Sequence, residues 1–231
     1  MLTPFRFDDH GHVKFDWLDT HHHFSFGDYY NPQREGFGPL RVINDDLIKA
    51  GNGFPFHPHR DMEIITYVRT GTIIHKDSLG NEGRTSAGDV QVMSAGRGII
   101  HAEHSDPAVD TTLFQIWIHP KERGIAPRWD QKAFPKAPVN ENLNLLVSGR
   151  AEDAGSDALK IHQDAAIYAG RLVKGTELTH TLNGPAYIVM SDGAATVNGT
   201  ALKKGDGAEI TDEASLKILA DSDAELLVIE L

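Results

Sequence analysis

The sequence of 231 residues predicts an all-β protein built from two sandwich or barrel domains in tandem. Three observations support this class: many short apolar runs, turn residues between them, and a turn pattern that occurs once in each half. The 22 glycines and 11 prolines supply the turns that many short strands require. Helical periodicity is weak, so an α-rich fold is not expected.

Ten runs are predicted as strands because apolar, often β-branched residues dominate them and Gly, Asn or Asp residues punctuate the chain between them. In chain order they cover residues 40–43, 63–68, 72–75, 89–93, 113–118, 143–147, 167–173, 187–190, 216–219 and 226–229. One short turn of helix is expected at 120–123, where Pro120 suits the first helical position.

A repeated turn pattern indicates two domains of similar construction. In each half a strand enters a glycine, a hairpin follows, and a Gly-Asp pair opens the next strand. The matching glycines are Gly71 with Gly193 and Gly88 with Gly205. Asn198-Gly199 is a strong signal for a two-residue hairpin. A stretch near 130–142 is rich in proline, as linkers are, so the predicted domains are 1–135 and 136–231.

Two short segments carry the strongest functional signal. His57 and His59 are two residues apart, and so are His101 and Glu103. Side chains at i and i+2 of a strand point to the same face. Two such strands facing each other inside a barrel would direct three imidazoles and one carboxylate at a common point. This donor set suits Fe(II), Mn, Ni, Cu or Zn rather than Ca or Mg.

The second half lacks these candidate ligands. Counted from the matching glycines, the positions that correspond to His57, His59, His101 and Glu103 are Thr179, Thr181, Ile218 and Ala220. His180 lies close to the first pair, but one histidine does not rebuild the set. A single metal site is therefore expected, in the domain 1–135, and the domain 136–231 is expected to have none.

Composition argues against several classes of function. The formal net charge is −11 and the densest basic clusters are pairs such as Lys203-Lys204, so direct binding of nucleic acid is not expected. The absence of cysteine excludes disulfides and thiolate metal sites and fits a reducing compartment. No signal-peptide pattern and no apolar run of roughly 20 residues is present. We expect a cytoplasmic protein that does not enter a membrane.

At the histidine segments the sequence resembles the cupin superfamily and, within it, the pirin family. With one extra residue before its last glycine, the first cupin motif is matched by Gly51, His57, His59, Glu63 and Gly71. The second motif is matched loosely by Gly88, Gly98 and His101. Pirin features are His-Pro-His-Arg at 57–60, Ser-Ala-Gly-Arg-Gly-Ile at 94–99, and the glutamate at position 103. The segments 20–30 and 40–46 also look like bacterial pirin-like proteins.

The resemblance implies two β-sandwich cupin domains and a mononuclear iron in the first. It implies that the ligands are His57, His59, His101 and Glu103, and that Glu63 is not a ligand. Several bacterial pirin-like proteins are similar to quercetin 2,3-dioxygenases, which open the flavonol heterocycle with O₂ and release carbon monoxide. The animal pirins are linked instead to binding transcription factors. An iron-dependent redox-sensing interaction protein without turnover is therefore the alternative.

The residues near these motifs receive secondary roles. Glu63 or Asp61 is expected to accept a hydrogen bond from the distal N–H of a ligand histidine. For the run 21–23, packing with one or two hydrogen-bonded histidines near the site mouth is favoured over a second metal site. The histidines expected to be surface or structural are His75, His104, His119, His162 and His180. Five apolar residues are candidates for the lining of a pocket, although ordinary core packing is favoured for each: Phe54, Phe56, Met93, Phe114 and Trp117.

The expected cofactor is one divalent transition metal, with Fe(II) favoured and Mn, Ni, Cu and Zn as alternatives. A flavonol-like substrate would bind through its hydroxyl oxygen at an open coordination position, where the metal acts as a Lewis acid. Glu103 is the expected catalytic base for the hydroxyl proton. The expected partners are this small molecule and O₂. A protein partner, the native substrate, an isomerase or hydrolase reaction with Zn or Mn, and the oligomeric state all stay open.

Overall fold

The computed structural model describes residues 1–231, and strands make up nearly all of its regular structure. The strands are β1 (Leu2–Phe5), β2 (Gly11–Lys14), β3 (Leu18–His22), β4 (Leu40–Ile48), β5 (Gly53–His59), β6 (Glu63–Thr70), β7 (Thr72–Asp77), β8 (Glu82–Ser86), β9 (Val90–Ser94), β10 (Ile99–Ser105), β11 (Thr111–Ile118), β12 (Arg128–Lys132), β13 (Asn144–Ser148), β14 (Leu159–Lys160), β15 (Ala166–Leu172), β16 (Glu177–Thr181), β17 (Ala186–Asp192), β18 (Ala194–Val197), β19 (Thr200–Lys203), β20 (Gly207–Ile210), β21 (Ser215–Ala220) and β22 (Ala224–Glu230). A 3-10 helix covers Phe7–Asp9. The all-β prediction is confirmed.

The ten strands predicted from the sequence are all present, with ends that differ by a few residues. The helical turn expected at 120–123 was wrong, because the chain there forms bends. The backbone N–H of Lys121 donates to the carbonyl of His162 at 2.7 Å, so this segment pairs with a distant one instead of coiling on itself. No helix in the structure has the length and apolar character that a membrane crossing needs.

Two compact units divide the chain. The N-terminal unit comprises Gly11–Phe134 and Leu159–Gln163, and the C-terminal unit comprises Met1–His10, Pro135–Ala158 and Asp164–Leu231. The first ten residues, which the sequence analysis assigns to the first domain, thus fall in the C-terminal unit. The reason is strand pairing: β1 runs antiparallel to β20, with Leu2 opposite Ile210.

The N-terminal unit consists of two antiparallel sheets. The larger has the strand order β12-β9-β6-β11-β4-β3-β2, and the smaller has the order β5-β10-β7-β8. Alternation of side chains along each strand turns one face of each sheet inward. A buried apolar cluster in this unit contains Leu18, Ile48, Val68, Ile73 and Leu113.

The C-terminal unit repeats this construction. Its larger sheet contains the order β1-β20-β17-β22-β15-β13, and its smaller sheet has the order β16-β21-β18-β19. Gly71 and Gly193 occupy equivalent turns with φ of 74° and 69°. A Cβ at either position would collide with a backbone carbonyl, that of Asp110 or that of Asp223. The internal repeat seen in the sequence therefore has a structural counterpart.

The assignment of Thr179 and Thr181 to the histidine positions was wrong by one residue. Both threonines are exposed, whereas Leu178 is buried in the core of the C-terminal unit and His180 shares its face of β16. On the paired strand β21, Ile218 and Ala220 belong to the same buried core. Apolar packing thus fills this part of the C-terminal unit.

Candidate metal centre

The four predicted ligands lie on β5 and β10, which are neighbours in the smaller sheet of the N-terminal unit. Their antiparallel register sets His101 directly opposite His57. The expectation that the two strands face each other across a barrel was therefore wrong. The histidines meet because directly opposite residues of an antiparallel pair have side chains on the same face.

A β-bulge separates Glu103 from the histidine pair. From the pair His101–His57 to the pair Glu103–Phe54, the step along β10 is two residues and the step along β5 is three residues. The extra residue on β5 disturbs the ladder, and Pro55 tolerates this because it has no N–H to pair. Glu103 is consequently opposite Phe54, outside the regular register of the histidines.

Three imidazoles converge at one point. Ring nitrogens of His57, His59 and His101 all lie within 4.8 Å of one another. Nδ1 of His57 donates to the carbonyl oxygen of Pro55 at 2.7 Å, which leaves Nε2 of His57 unprotonated in the neutral ring. This Nε2 lies 3.0 Å from Nε2 of His101. Two ligand atoms about 2.1 Å from one cation at a right angle are about 3.0 Å apart, so the pair fits a divalent metal.

Burial keeps the imidazoles of His59 and His101 neutral, which is the form that binds a metal. It lowers the pKa of His59 to about 4 and that of His101 to about 2, and repulsion between the neighbouring histidines lowers both further. At neutral pH a proton therefore does not compete with a cation for these two rings.

The carboxylate of Glu103 is buried and held by three donors. The hydroxyl of Thr66 donates to it at 3.2 Å, and the side-chain amides of Gln91 and Gln115 donate as well. Burial raises the pKa of Glu103 to about 7, although the three hydrogen bonds act in the opposite direction. A carboxylate oxygen of Glu103 and ring nitrogens of His101 and His75 lie within 4.8 Å of one another. The group formed by His57, His59 and His101 does not include Glu103.

His75, which the sequence analysis expected to be surface or structural, is a buried neighbour of His101. Its Nδ1 lies 3.5 Å from Nδ1 of His101, and its Nε2 lies 3.0 Å from Oδ2 of Asp77. The ring also stacks on Trp129 with centroids 4.8 Å apart. His75 and Asp77 share the i, i+2 spacing of the ligand pairs, and this spacing was the available signal.

Neither Glu63 nor Asp61 orients a ligand histidine, so that expectation was wrong. The hydroxyl of Ser94 donates to Glu63 at 2.7 Å, and the backbone of His162 also hydrogen-bonds to this carboxylate. The backbone N–H of Gly124 donates to Asp61 at 2.7 Å. Both carboxylates instead hold loops of the N-terminal unit in place.

A cavity of about 380 Å³ opens beside the imidazoles. Its aromatic walls include Phe26, Phe54 and Trp117, and the Trp117 ring meets the His59 ring edge-on at 4.9 Å. Pocket lining is therefore found for Phe54 and Trp117 among the five apolar candidates. The other three do not line this cavity: Phe56 is exposed, and Met93 and Phe114 are buried in the core.

A second wall of the cavity is polar and comes from β3, β4 and β11. It is formed by Thr20, His22, Asn44, Asp46 and Gln115. Nδ1 of His22 lies 2.8 Å from Oδ1 of Asn44. Asp46 is 2% exposed, and burial raises its pKa to about 7, with repulsion from nearby carboxylates adding to the effect. Sequence reasoning expected a hydrogen-bonded histidine of the run 21–23 near the site mouth, as His22 is, but it did not identify the other residues of this wall.

The three histidines at 21–23 have different surroundings, and His23 is buried outside the cavity. His22 lines the cavity, while His21 stacks on His12 with ring centroids 4.2 Å apart. His12, Asp19 and His21 also form a group with the spacing of metal ligands. The ammonium group of Lys14 already pairs with the Asp19 carboxylate, so the negative charge of this group is balanced without a metal ion.

Comparison with known proteins finds relatives that match the whole chain. The Pirin family model matches residues 6–118, and the model of the quercetinase C-terminal cupin domain matches residues 145–231. A pirin-like protein of Caulobacter vibrioides is 50% identical over 100% of this chain and 99% of its own. A quercetin 2,3-dioxygenase of Escherichia coli K12 is 43% identical, with the same coverage. The crystal structure of a bacterial pirin from Escherichia coli in complex with nickel(II) aligns with a TM-score of 0.92, at 42% identity, over 100% of this chain and 99% of that one.

Proposed function

This chain belongs to the pirin family of the cupin superfamily, and from that premise we propose that it is a metal-dependent dioxygenase of the quercetin 2,3-dioxygenase type. The proposed reaction opens the heterocycle of a flavonol-type enol with O₂. One observation carries the proposal: three imidazoles converge beside a cavity with aromatic walls. The name of the Escherichia coli relative supports the same reaction class.

The proposed ligands are His57, His59, His101 and Glu103, and the proposed ion is a divalent transition metal with Fe(II) favoured. Three nitrogens and one oxygen suit such an ion. The nickel(II) complex of the Escherichia coli pirin supports a divalent metal in this family. When bound, the metal supplies Lewis acidity toward the enol oxygen and a binding position for O₂.

Glu103 is the proposed general base. Burial raises the proton affinity of Glu103 above that of an exposed glutamate, which favours its role as a base. The amide groups of Gln91 and Gln115 point N–H donors at the carboxylate, so they favour the charged form that accepts a proton. The proton of the enol hydroxyl would pass to an oxygen of Glu103.

The cavity walls suit a flat, partly polar substrate. The rings of Phe26, Phe54 and Trp117 provide apolar faces on which aromatic rings pack and from which water is excluded. A volume of about 380 Å³ lies within the range of small-molecule sites. Asn44 and Asp46 on the polar wall offer hydrogen bonds to hydroxyl groups of the substrate.

An aerobic turnover assay tests the proposal. Metal-free protein would be reconstituted separately with Fe(II), Mn, Ni, Cu and Zn, and O₂ uptake, carbon monoxide release and loss of the visible band of quercetin would be measured. We expect turnover that depends on the metal. If the protein binds the ions stoichiometrically and none of the five supports O₂ uptake, the dioxygenase proposal is contradicted.

A redox-sensing interaction protein is the second candidate, and an exposed apolar surface favours it. Phe56 is 62% exposed and Ile100 is 47% exposed, and alternation places both on the outer face of the strands whose inner face carries the histidines. This function predicts no turnover and a partner affinity that differs between the Fe(II) and Fe(III) forms. Equal affinity in both forms would contradict it.

A further inference from the structure

We propose that the polar wall of the cavity recognises a hydroxyl group of the substrate, with His22 and Asn44 as its specificity-determining residues. The inference rests on the proposed function for the kind of ligand, a flavonol-type enol, and it adds that this ligand carries a further hydroxyl group. The imidazoles proposed to hold the metal lie on β5 and β10 of the smaller sheet, whereas His22 and Asn44 lie on β3 and β4 of the larger sheet. The two sets of residues can therefore bind two different parts of one ligand.

Strand pairing assembles most of the polar wall from two pairs of opposite residues. In the antiparallel register of β3 and β4, His22 is directly opposite Asn44 and Thr20 is directly opposite Asp46. Directly opposite residues, and residues two apart on one strand, share a face of the sheet. All four residues line the cavity, and none of them is more than 5% exposed. The larger sheet thus presents a compact polar patch to the cavity.

The contact between His22 and Asn44 uses only part of their hydrogen-bonding capacity. Nδ1 of His22 lies 2.8 Å from Oδ1 of Asn44. Burial lowers the pKa of His22, and a neutral imidazole has one N–H donor and one acceptor nitrogen. Because a carbonyl oxygen only accepts, Nδ1 of His22 is the donor, which leaves its Nε2 as an acceptor and the N–H groups of Asn44 as donors. If the amide is turned over, the two roles exchange, so one donor and one acceptor remain in either orientation.

The remaining donor and acceptor favour a hydroxyl group as their partner. No other protein group hydrogen-bonds to them, and a buried polar group without a partner is costly. A hydroxyl group both donates and accepts, so it can match the two together, whereas a ketone or carboxylate oxygen only accepts and leaves the acceptor unmatched. An apolar edge of a ligand would displace water from the pair without replacing its hydrogen bonds. The pair therefore selects a hydroxylated ligand.

Other residues of the cavity extend this preference to a class of ligand. A carboxyl oxygen accepts a hydrogen bond in both of its protonation states, so Asp46 offers a further acceptor to a hydroxyl group on the same wall. The rings of Phe54 and Trp117 line the same cavity and give a flat ring system faces on which to pack. The ligand class that follows is an aromatic enol with at least one additional hydroxyl group at a distance from the enol.

The competing explanation is that the pair only joins β3 to β4 and has no part in ligand selection. The double variant His22→Phe with Asn44→Leu separates the two explanations, because it removes both polar side chains together and leaves neither without its partner. The new side chains are close in size to the ones they replace, which limits the cost of repacking. Phe54→Leu is the matched control, since it changes an apolar wall of the same cavity without changing a hydrogen-bonding side chain.

The experiment measures the binding of quercetin and of 3-hydroxyflavone to the full chain, with O₂ excluded so that no turnover occurs. Quercetin carries several hydroxyl groups besides its enol, and 3-hydroxyflavone carries the enol alone. Calorimetric titration gives both affinities, first for the metal-free protein and then for the protein loaded with Ni(II). The ratio of the two affinities isolates the additional hydroxyl groups, because both ligands have the same enol and the same ring system.

We expect the parent to prefer quercetin in both forms of the protein. In the double variant this ratio should fall about 10–100-fold, because the quercetin hydroxyl group loses its partners while 3-hydroxyflavone no longer leaves polar groups unpaired. Phe54→Leu should weaken the binding of both ligands by a similar factor and leave the ratio unchanged. A purely structural role of the pair would change the stability of the double variant and not the ratio.

Three results would overturn the inference. Two need no variant: a parent protein that binds 3-hydroxyflavone as tightly as quercetin, and a parent protein that binds neither ligand. The third is a folded double variant that keeps the parent's ratio of affinities. Failure of the proposed function is a separate result, because the expected ratios without O₂ uptake contradict only the dioxygenase proposal. Turnover of quercetin by a double variant with an unchanged ratio contradicts only the role of His22 and Asn44.

Discussion

At the scale of single residues, Glu103 and His57 have tasks that mutation can separate. We expect Glu103→Gln to lose about 10²–10⁴-fold in turnover while it still binds metal, since the amide cannot act as a base but three imidazoles remain. We expect His57→Ala to lose stoichiometric metal. Metal content by elemental analysis and turnover of quercetin check both variants. Equal metal loss in the two variants would count against the base role of Glu103.

Asp46 is a second buried carboxyl in the same cavity, and it links stability to pH. Because burial raises its pKa from 3.8 to about 7, the folded protein retains a proton that the unfolded chain has released between these values. Stability contributed by this group therefore falls as pH rises through that window. We expect the stability advantage of Asp46→Asn over the parent to grow by about 3 kcal/mol between pH 5 and pH 8.

Urea unfolding of the metal-free proteins at several pH values measures this difference. If the difference in the free energy of unfolding between Asp46→Asn and the parent is instead the same at every pH, Asp46 is already charged in the folded protein at pH 5. Metal-free samples are needed because a bound cation near the cavity would favour the carboxylate form.

At the scale of elements, the pairing of β5 with β10 determines where the donors lie. Gly53 is opposite His104, and a Cβ at position 53 would overlap the backbone carbonyl of Glu103. We expect Gly53→Ala to cost about 1–3 kcal/mol of stability and to weaken Ni(II) binding, because the overlap displaces the backbone that carries Glu103.

Gly80→Ala is the control for this prediction. A Cβ at Gly80 meets no atom within 4 Å, so only its φ of +88° makes the substitution unfavourable. That strain costs about 1–3 kcal/mol and lies in a turn, away from β5. Ni(II) titration compares the two variants, and an affinity that falls equally in both would contradict a local role of Gly53.

Strand β22 of the C-terminal unit carries a buried ion pair between Arg150 and Glu230. Arg150 donates to Glu230 at 2.7 Å, His180 lies 2.8 Å from its other oxygen, and the N–H of Asn183 donates at 3.2 Å. Burial acts to raise the pKa of Glu230, but these partners outweigh it and lower the pKa. The stability that they contribute is present above the ordinary pKa of 4.5 and is lost as pH falls below it.

We expect Arg150→Met to destabilise the protein by about 3 kcal/mol at pH 7, because Glu230 remains buried without its strongest partner. The double variant Arg150→Met with Glu230→Leu should recover most of this loss, since neither charge remains. Chemical denaturation measures both. A double variant that is less stable than Arg150→Met would show that Glu230 contributes through partners other than Arg150.

At the scale of the whole molecule, two units of the same construction differ in what their equivalent strands carry. The smaller sheet of the N-terminal unit presents His57 and His101, and the equivalent strands of the C-terminal unit present Leu178 and Ile218 to an apolar core. The repeat therefore predicts one metal per chain.

Calorimetric titration with Ni(II) measures this stoichiometry. We expect one equivalent per chain and no change in His180→Ala, because His180 pairs with Glu230 and has no second histidine in a ligand position. Two equivalents in the parent, reduced to one in His180→Ala, would contradict the single site. If His21→Ala instead reduces two Ni(II) equivalents per chain to one, the second ion binds to the group formed by His12, Asp19 and His21.

The sequence by itself determined the all-β class, the repeated turns and the two pairs of donors. Each of these depends on local rules: alternation with a period of two, and glycine at turns that need a positive φ. His57, His59 and His101 could be identified because each belongs to a short, recognisable pattern.

Only the tertiary structure decided which strands are neighbours. It placed β7 beside β10, which brings Asp77 and His75 to His101, and it placed β3 and β4 so that Asn44 and Asp46 line the cavity. It also introduced the bulge that moves Glu103 out of register with the histidines. Pairing between strands that are distant along the chain depends on the packing of the whole unit, which no local pattern contains.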